Sequence, residues 1–313
     1  MSISVLSSRG IIGEFYRTLE QDVGAPWMNL LSVLFTSDQD SEDYKWIGQS
    51  PAMREWVGGR HAKGFIDNGL TIENKHYEST LEFFLKDLRR DKTGQIMVRI
   101  QEFAAKANVH WATLISALII NGESSACYDG QYFFDTDHSE GDSGAQSNDI
   151  QVDISALPAT THGAVTAPSN EEMQQAILKT VAQIQGFVDD RGEPINEVAQ
   201  NFLVMVPTSL AYIAQNALAT PRGTAITEEL PVGMNINVVT NARLSSWTDK
   251  FAVFRTDGRV KPFIRQQETD VKLKVKAEGS DFEFDNDAHQ YGIDTWRNVG
   301  YGMWQHACMA TMV

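Results

Sequence analysis

The longest periodic pattern of apolar residues lies between Gln95 and Asn121. Its apolar positions step by four and three residues, which places them on one face of a helix. These positions are Ile96, Ile100, Phe103, Ala107, Trp111, Leu114 and Leu118. With a rise of roughly 1.5 Å per residue, such a helix would be about 40 Å long. Asn121 and Gly122 supply a stop signal, so the pattern predicts one long helix on which other elements pack.

A second helical pattern follows Ser169. Ser169 and Glu172 have the spacing of a capping box, and an apolar face continues through Met173, Ile177, Val181, Ile184 and Val188. The run NFLVMVP at 201–207 predicts a buried strand. Thr208 is then predicted to cap a helix that extends to about Ala219. Between the two helical patterns, residues 139–170 are poor in large apolar side chains, which predicts a long loop or a small insertion.

The last third of the chain has the pattern of β-strands. The runs NINVVTNARL, KFAVFRT and VKLKVKAEG are rich in β-branched and aromatic residues. In the third run, Val271, Leu273 and Val275 alternate with lysines, which is typical of a strand with one exposed face. The apolar end of the chain, TWRNVGYGMWQHACMATMV, is predicted to be buried.

The first 85 residues have a different character. Residues 1–43 read as an extension in which IIGEFYRTLEQ forms a short helix, and a subunit without them is expected to fold. The run APWMNLLSVLFTS would expose much apolar area unless it docks on its own subunit or on a neighbour. Residues 46–85 are predicted to be an extended hairpin, because glycine turns occur at Gly58-Gly59 and Asn68-Gly69.

Composition narrows the class of protein. The chain has 313 residues, of which 42% are hydrophobic and 21% charged, as in globular proteins. A formal charge of −15 disfavours a surface that wraps nucleic acid. Cys127 and Cys308 predict two buried thiols in a reducing cytoplasm. The N-terminus lacks a secretion signal, and we expect no apolar run of the roughly 18 residues that a membrane span needs.

The segment YDGQYFFDTDH at 128–138 is the strongest candidate for chemistry, because Asp135, Asp137 and His138 lie close together. It does not fit a calcium loop, since Glu140 and Gln146 replace the glycine and the final glutamate. It lacks the paired His or Cys spacing of a zinc site. We therefore predict a structural turn whose acids cap backbone amides. The alternative is a metal-dependent hydrolase that uses these three residues.

Other catalytic signatures are absent from the sequence. It contains no GxxxxGK[ST], GxSxG, HExxH or GxGxxG motif. The basic, glycine-rich run at 58–64 is an ordinary loop tip. We predict no catalytic residue, no metal site and no cofactor, and a monomeric solute-binding or adaptor protein is a third possibility.

Three segments resemble the Mu-like bacteriophage major head (capsid) subunit family. They are WIGQSPAMREWVGGR at 46–60, TIENKHYESTLEFFLKDL at 71–88 and CYDGQYFFDTDH at 127–138. The resemblance implies an α+β fold of the HK97-like capsid type. Its parts would be an N-terminal arm at 1–43, an extended E-loop at 44–80, a peripheral domain at 81–169 with the spine helix at 95–121, an axial domain at 170–285, and a return to the peripheral domain at 286–313.

The resemblance also implies a function and partners. The subunit is expected to form hexamers and pentamers of an icosahedral head of a tailed bacteriophage, assembled in the bacterial cytoplasm and found in the virion. Expected partners are further copies of itself, a separate scaffolding protein, a portal protein and a decoration protein. The shell would enclose double-stranded DNA without sequence-specific binding, and no membrane is involved.

Tryptophan, methionine and arginine are enriched in protein interfaces, and large apolar residues alternate with basic ones in the E-loop segment of the sequence. We predict intersubunit contacts for such residues in the arm and the E-loop, and the alternatives are packing within their own subunit or stacking on nucleic acid. They are Trp27, Trp46, Met53, Arg54, Trp56, Arg60 and Lys63.

Overall fold

The computed structural model describes residues 7–22, 24–44, 69–91, 93–219 and 233–313. The helices are α1 (Ser8–Gln21), α2 (Trp27–Leu31), α3 (Leu85–Arg90), α4 (Gln95–Ile120), α5 (Asn170–Gln185), α6 (Ala211–Ala219) and α7 (Asp281–Asn286). The strands are β1 (Ser32–Thr36), β2 (Ser41–Tyr44), β3 (Leu70–Glu73), β4 (Lys75–Phe84), β5 (Asp149–Val152), β6 (Asn201–Val206), β7 (Asn235–Thr240), β8 (Lys250–Arg255), β9 (Phe263–Lys276), β10 (Ala288–Tyr301) and β11 (Ala307–Met312). The predicted mixture of helices and strands is confirmed.

The first sheet has the strand order β1-β9-β10-β4. The long strands β9 and β10 form an antiparallel hairpin that α7 closes, and β4 pairs with the other side of β10. On β9, Val271, Leu273 and Val275 are half-buried while the lysines between them are exposed. This confirms the predicted strand with one apolar face and one lysine face.

The second sheet has the order β5-β11-β8-β6-β7. Strand β11 lies between β5, with which it is parallel, and β8, with which it is antiparallel. The buried run at Asn201–Val206 is confirmed as a strand. The strand β5 lies within the segment that the sequence predicts to be a loop, so that part of the prediction is wrong.

The two sheets do not divide the chain at the predicted domain boundaries. Strand β11, predicted to return to the peripheral domain, pairs with β8 of the predicted axial segment. Strand β9, predicted to be axial, lies in the sheet beside α4. The domain limits therefore stay a prediction, and the two sheets give a different grouping of segments.

A two-stranded ladder joins β2 to β3 in antiparallel register, with Tyr44 opposite Leu70. The chain therefore leaves this ladder and returns to it at adjacent positions. The glycine turn predicted at 58–59 lies outside the described residues. Of the turn predicted at 68–69, only Gly69 is described.

Helix α4 confirms the predicted long helix and lies against the first sheet and α1. Both carboxylate oxygens of Asp91 accept hydrogen bonds at its start, from the amides of Gln95 (3.1 Å) and Ile96 (2.9 Å). These contacts satisfy two of the amides that a helix leaves without intrahelical partners. The sequence was expected to contain no stretch apolar enough to span a membrane. When length and composition alone are considered, this expectation is wrong. Residues 95–123 pass that test, and 44% of the window is buried inside the fold.

The N-terminal segment is part of the core of its own subunit. Ile11 and Phe15 of α1 are fully buried beside α4, Leu31 of α2 is also fully buried, and Met28 is nearly so. Strand β1 pairs with β9 in parallel. The short helix expected in residues 1–43 is confirmed. The expectation that a subunit without this segment would fold stays a prediction, and the structure argues against it because removal would strip apolar groups from two core clusters.

Helix α5 begins as the sequence predicts. The Ser169 hydroxyl accepts a hydrogen bond from the Glu172 amide (3.2 Å), and the Glu172 carboxylate accepts one from the Ser169 amide (2.7 Å). This capping box confirms the predicted start. The helix predicted after Thr208 is also present, and it begins at Ala211.

Candidate functional site

The segment that follows α4 forms a compact turn held by its own backbone. The Cys127 amide donates to the Gln131 carbonyl (2.8 Å), and the Gly130 amide donates to the Cys127 carbonyl (3.1 Å). Gly130 has φ of 87°, a left-handed conformation that glycine adopts at little cost. The Phe134 amide donates to the Gly122 carbonyl (2.9 Å), which ties the turn to the end of the helix.

His138 is fully buried in this turn and contacts a polar group at each ring nitrogen. Its Nε2 lies 3.2 Å from Asn148 Oδ1, and its Nδ1 lies 2.6 Å from Asp129 Oδ2. The orientation of the Asn148 amide is fixed, since Nδ2 donates to the Phe133 carbonyl (2.7 Å) and Oδ1 accepts from the Asp135 amide (2.8 Å). Asn148 Oδ1 can only accept, so Nε2 carries a hydrogen.

Asp129 forms the other half of a buried pair. Its Oδ1 accepts hydrogen bonds from the Cys127 thiol (3.0 Å) and from the Gln131 amide (3.1 Å). Burial raises the pKa of Asp129, but the hydrogen bonds from His138 and Cys127 outweigh it, and the net pKa lies below its ordinary value. Asp129 is therefore an ionised acceptor, and the His138 ring donates to both of its neighbours.

Aromatic rings enclose this pair. The His138 ring is stacked on Trp304 with centroids 4.0 Å apart and planes 10° apart. Phe133 is stacked on Tyr301 at 4.6 Å and 16°, and Phe134 is also buried. The turn therefore joins the end of α4 to the segment between β10 and β11. These contacts agree with the predicted structural role.

Cys127, Asp129 and His138 are the residues here that could hold a metal ion, because each offers a ligand atom and these atoms lie within 4.8 Å of one another. The donor set fits poorly. It provides three protein ligands, whereas structural zinc sites use four. The thiol and the ring already donate to the carboxylate, and burial followed by the charge of Asp129 raises the pKa of the Cys127 thiol. A thiol that holds its proton is a poor metal ligand.

The three residues of the hydrolase alternative do not converge. His138 is turned away to the buried pair, while the Asp135 carboxylate accepts hydrogen bonds from the amides of Tyr132 (3.1 Å) and Thr136 (2.7 Å). The pKa of the exposed Asp137 is raised, first by a hydrogen bond with Asp135, then by slight burial and by the negative charge of Asp135. The hydrolase hypothesis is therefore wrong in its geometry.

A pocket of about 170 Å³ lies between α4 and the first sheet, with Tyr77, His110 and Arg297 in its wall. Burial, followed by neighbouring guanidinium groups, lowers the pKa of His110 to about 4, so the imidazole is neutral near pH 7. Arg297 donates to the Ala107 carbonyl (2.9 Å) and lies over the Trp111 ring at 4.7 Å. These contacts hold the guanidinium between helix and sheet.

The residues predicted to make intersubunit contacts fall into two groups. Trp27 is 8% exposed and packs in the core of its own subunit, which leaves little of its side chain for a neighbour. The other six lie outside the described residues, and their contacts stay a prediction: Trp46, Met53, Arg54, Trp56, Arg60 and Lys63.

Several large apolar side chains lie on the surface that the structure describes. Phe284 in α7 is 92% exposed, Tyr212 is 76% exposed and Val198 is 68% exposed. The exposure of Phe284 was not predicted from the sequence. Its signal was the alternation of aromatic and acidic residues in SDFEFDND, which breaks the β-strand pattern on either side.

Comparison with known proteins supports one family. The sequence profile described as Mu-like prophage major head subunit gpT matches residues 8–157 and 228–312, which is most of the chain. The Mu-like prophage FluMu major head subunit of Haemophilus influenzae is 34% identical over 111 residues, 36% of either chain. The major capsid protein of Escherichia phage Mu is 34% identical over 110 residues, 35% of this chain and 36% of that protein. The aligned part thus spans about a third of these curated relatives.

Solved structures show the fold. A chain of the procapsid of bacteriophage JBD30 is 22% identical, with a TM-score of 0.56 over 96% of this chain and 73% of that one. A chain of the JBD30 capsid decorated with minor capsid protein trimers is 17% identical, with a TM-score of 0.50 over 92% and 65%. A chain of the capsid of cyanophage P-SCSP1u is 12% identical, with a TM-score of 0.55 over 94% and 88%.

The predicted α+β fold of the HK97-like capsid type is confirmed by these structures. The profile match covers the turn after α4, all strands of the first sheet, and the strands of the second sheet except β6. The chain belongs to the Mu-like prophage major head subunit gpT family.

Proposed function

We propose that this protein is the major capsid protein of a Mu-like tailed bacteriophage or prophage. The observation that carries the proposal is the capsid-subunit fold over 96% of the chain, joined to membership of a head-subunit family. Copies of the subunit form hexamers and pentamers, and these close into an icosahedral head. The role is structural, so no residue of the chain has to perform catalysis.

The charge of the subunit suits a container for DNA. A formal charge of −15 repels phosphate groups, so the inner surface does not grip the genome. Double-stranded DNA is then enclosed without sequence-specific contacts.

Assembly is proposed to need further proteins. These are a separate scaffolding protein, a portal protein and a decoration protein, and assembly takes place in the host cytoplasm before the subunit becomes part of the virion. Similarity to a chain from a decorated capsid supports the decoration protein at the level of the fold.

The family resemblance also assigns roles to segments. We place the E-loop at 44–80, with the β2–β3 ladder at its base because Tyr44, where the segment begins, lies opposite Leu70. Its large and basic side chains contact neighbouring subunits. Helix α4 serves as the spine helix of the peripheral domain.

The proposal is tested by the size of the assembled material. The purified protein, a 34.9 kDa chain, is expected to sediment as capsomers or particles and to show rings or heads by negative-stain electron microscopy. A protein that stays monomeric across salt concentrations and crowding agents, with or without a co-expressed scaffolding protein from the same genome, would overturn the proposal.

A further inference from the structure

One end of the first sheet carries two short helices side by side. Helix α7 closes the hairpin between β9 and β10, and α3 follows the end of β4. The Leu85 amide donates to the Asp287 carbonyl (2.9 Å), which joins the start of α3 to the end of α7. We call residues 85–90 and 281–287 together the α3–α7 end.

The α7 half of this end is acidic. Residues 281–287 read DFEFDND and contain four carboxylates and no basic residue. Glu283 is used internally, where it accepts from the Gly279 amide (2.6 Å) and lies 3.3 Å from His289. The remaining three carboxylates, those of Asp281, Asp285 and Asp287, belong to exposed residues.

The α3 half is basic. Residues 85–90 read LKDLRR, and Lys86, Arg89 and Arg90 are exposed. In the described part of the chain, no ion pair within 4.0 Å connects these cations to the acids of α7. The same end of the subunit therefore presents adjacent patches of opposite charge, both open to a partner.

An apolar side chain projects from the acidic patch. Phe284 is 92% exposed, and Phe84, at the end of β4, is 48% exposed. A soluble domain gains nothing from a fully exposed phenylalanine, because such a side chain contributes to stability only when it is removed from water. Aromatic residues at the centre of a ring of polar groups are typical of interface anchors.

We propose that the α3–α7 end is a contact between copies of this chain, in which the acidic α7 of one subunit docks on the basic α3 of the next and Phe284 is the apolar anchor. A second copy is favoured over another protein because each subunit carries both complementary halves. Contact between two different patches is heterologous, and when the rotation closes it forms a ring around a symmetry axis. The inference rests on the proposed function and names a surface through which the shell is held.

The test is a charge swap. R89E/R90E and D281K/D285K are each expected to lower the yield of particles by about tenfold, since like charges then face each other. The combined variant R89E/R90E/D281K/D285K restores complementarity and is expected to recover the yield to within about twofold. Phe284→Ser lowers the yield with the charges unchanged. Yields are measured by sedimentation and electron microscopy.

Two controls separate the inference from simpler causes. R89E/R90E/E20K/E197K has the wild-type net charge, but its added lysines lie outside the α3–α7 end, so its yield should stay low. Circular dichroism and thermal melting should show each variant folded as a subunit. If the wild type does not assemble, the proposed function fails. If it assembles and neither reversal lowers the yield, or the combined variant does not recover while folded, the contact is refuted and the proposed function stands.

Discussion

At the scale of single residues, the buried pair of Asp129 and His138 is the most constrained feature of the molecule. Both side chains are nearly inaccessible, at 3% and 0% exposure. Each is fixed by further hydrogen bonds, from Cys127 to Asp129 and between His138 and Asn148. A buried charge is stable only when it is paired, so the two residues depend on each other.

Asp129→Asn is expected to lower the free energy of unfolding by about 3 kcal/mol, because it removes the charge that the His138 ring faces. The measurement is urea unfolding of disassembled subunits. Asp137→Asn is the matched control, since the Asp137 side chain is exposed, and its effect should stay within about 0.5 kcal/mol. Equal effects of the two substitutions would contradict the assignment of the buried pair.

The raised pKa of Asp149 predicts that the free energy of unfolding depends on pH. Burial, followed by the charge of Glu123, raises the pKa of Asp149 to about 6. The folded state then holds this proton to a higher pH than the unfolded state does, so stability is lost as pH rises from about 4 to about 6. Asp149→Asn is therefore expected to stabilise the subunit at pH 8 by about 1 kcal/mol, after allowance for solvent screening at this half-exposed side chain.

The check on Asp149 is the same unfolding measurement repeated between pH 4 and pH 8. The gain from Asp149→Asn should shrink below pH 6 and vanish near pH 4. A gain that does not change with pH would show that the substitution acts through packing and not through charge.

At the scale of elements, the N-terminal helices hold the long helix and the first sheet together. Phe15 is fully buried against Phe103, with ring centroids 6.0 Å apart. Leu30, in α2, is 45% exposed and makes the matched comparison. Both residues belong to the segment that the sequence suggested was dispensable for folding.

Phe15→Ala is expected to lower the free energy of unfolding by about 3 kcal/mol, because it opens a cavity between α1 and α4. Leu30→Ala should change it by less than about 0.5 kcal/mol. Chemical denaturation of the two variants checks this. A negligible effect of Phe15→Ala would restore the view that α1 is an arm for neighbouring subunits only.

Elements with a long period or a clear cap could be predicted from the sequence. The face of α4, the capping box at Ser169 and the alternation around Leu273 each depend on neighbours in the sequence, so they follow from local pattern. Strand β5 was missed, although residues 149–154 read DIQVDI and alternate polar with apolar positions as a strand does, because the surrounding segment is poor in large apolar side chains. Its place is set by pairing with β11, far along the chain.

The sequence predicted that the candidate site is a polar turn, but it did not predict which residues its side chains contact. The acids and histidine of residues 128–138 indicated a polar turn, which the structure has. The contacts of His138 with Asn148 and Trp304 could not be predicted, because they join positions that meet only in the folded chain. The exposure of Phe284 follows from tertiary structure in the same way.

At the scale of the whole molecule, the larger of the two apolar clusters reaches both sheets. It includes Phe202 and Phe254 of the second sheet, Phe263 and Tyr301 of the first sheet, and Trp111 of α4. A contiguous core of this kind couples the elements that share it. The peripheral and axial segments are therefore expected to unfold together, although their names suggest separate units.

Hydrogen exchange at increasing denaturant concentration checks this coupling. Amides of β6 and β9 should lose protection at the same denaturant concentration, as expected of one cooperative unit. Loss of protection in β9 well before β6 would show that the first sheet unfolds independently.

The position of β11 has a consequence for how the subunit is made. Ala307–Met312 is the last strand in the sequence, yet it lies between β5 and β8. During synthesis from the N-terminus, the second sheet cannot close until β11 has been translated, and all its other strands come before β11 in the sequence. A ribosome that stops before residue 307 leaves two strand edges unpaired, and such edges favour aggregation. Partial translation products that stop before β11 therefore lack the pairing that joins β5 to β8 and cannot present a finished subunit surface.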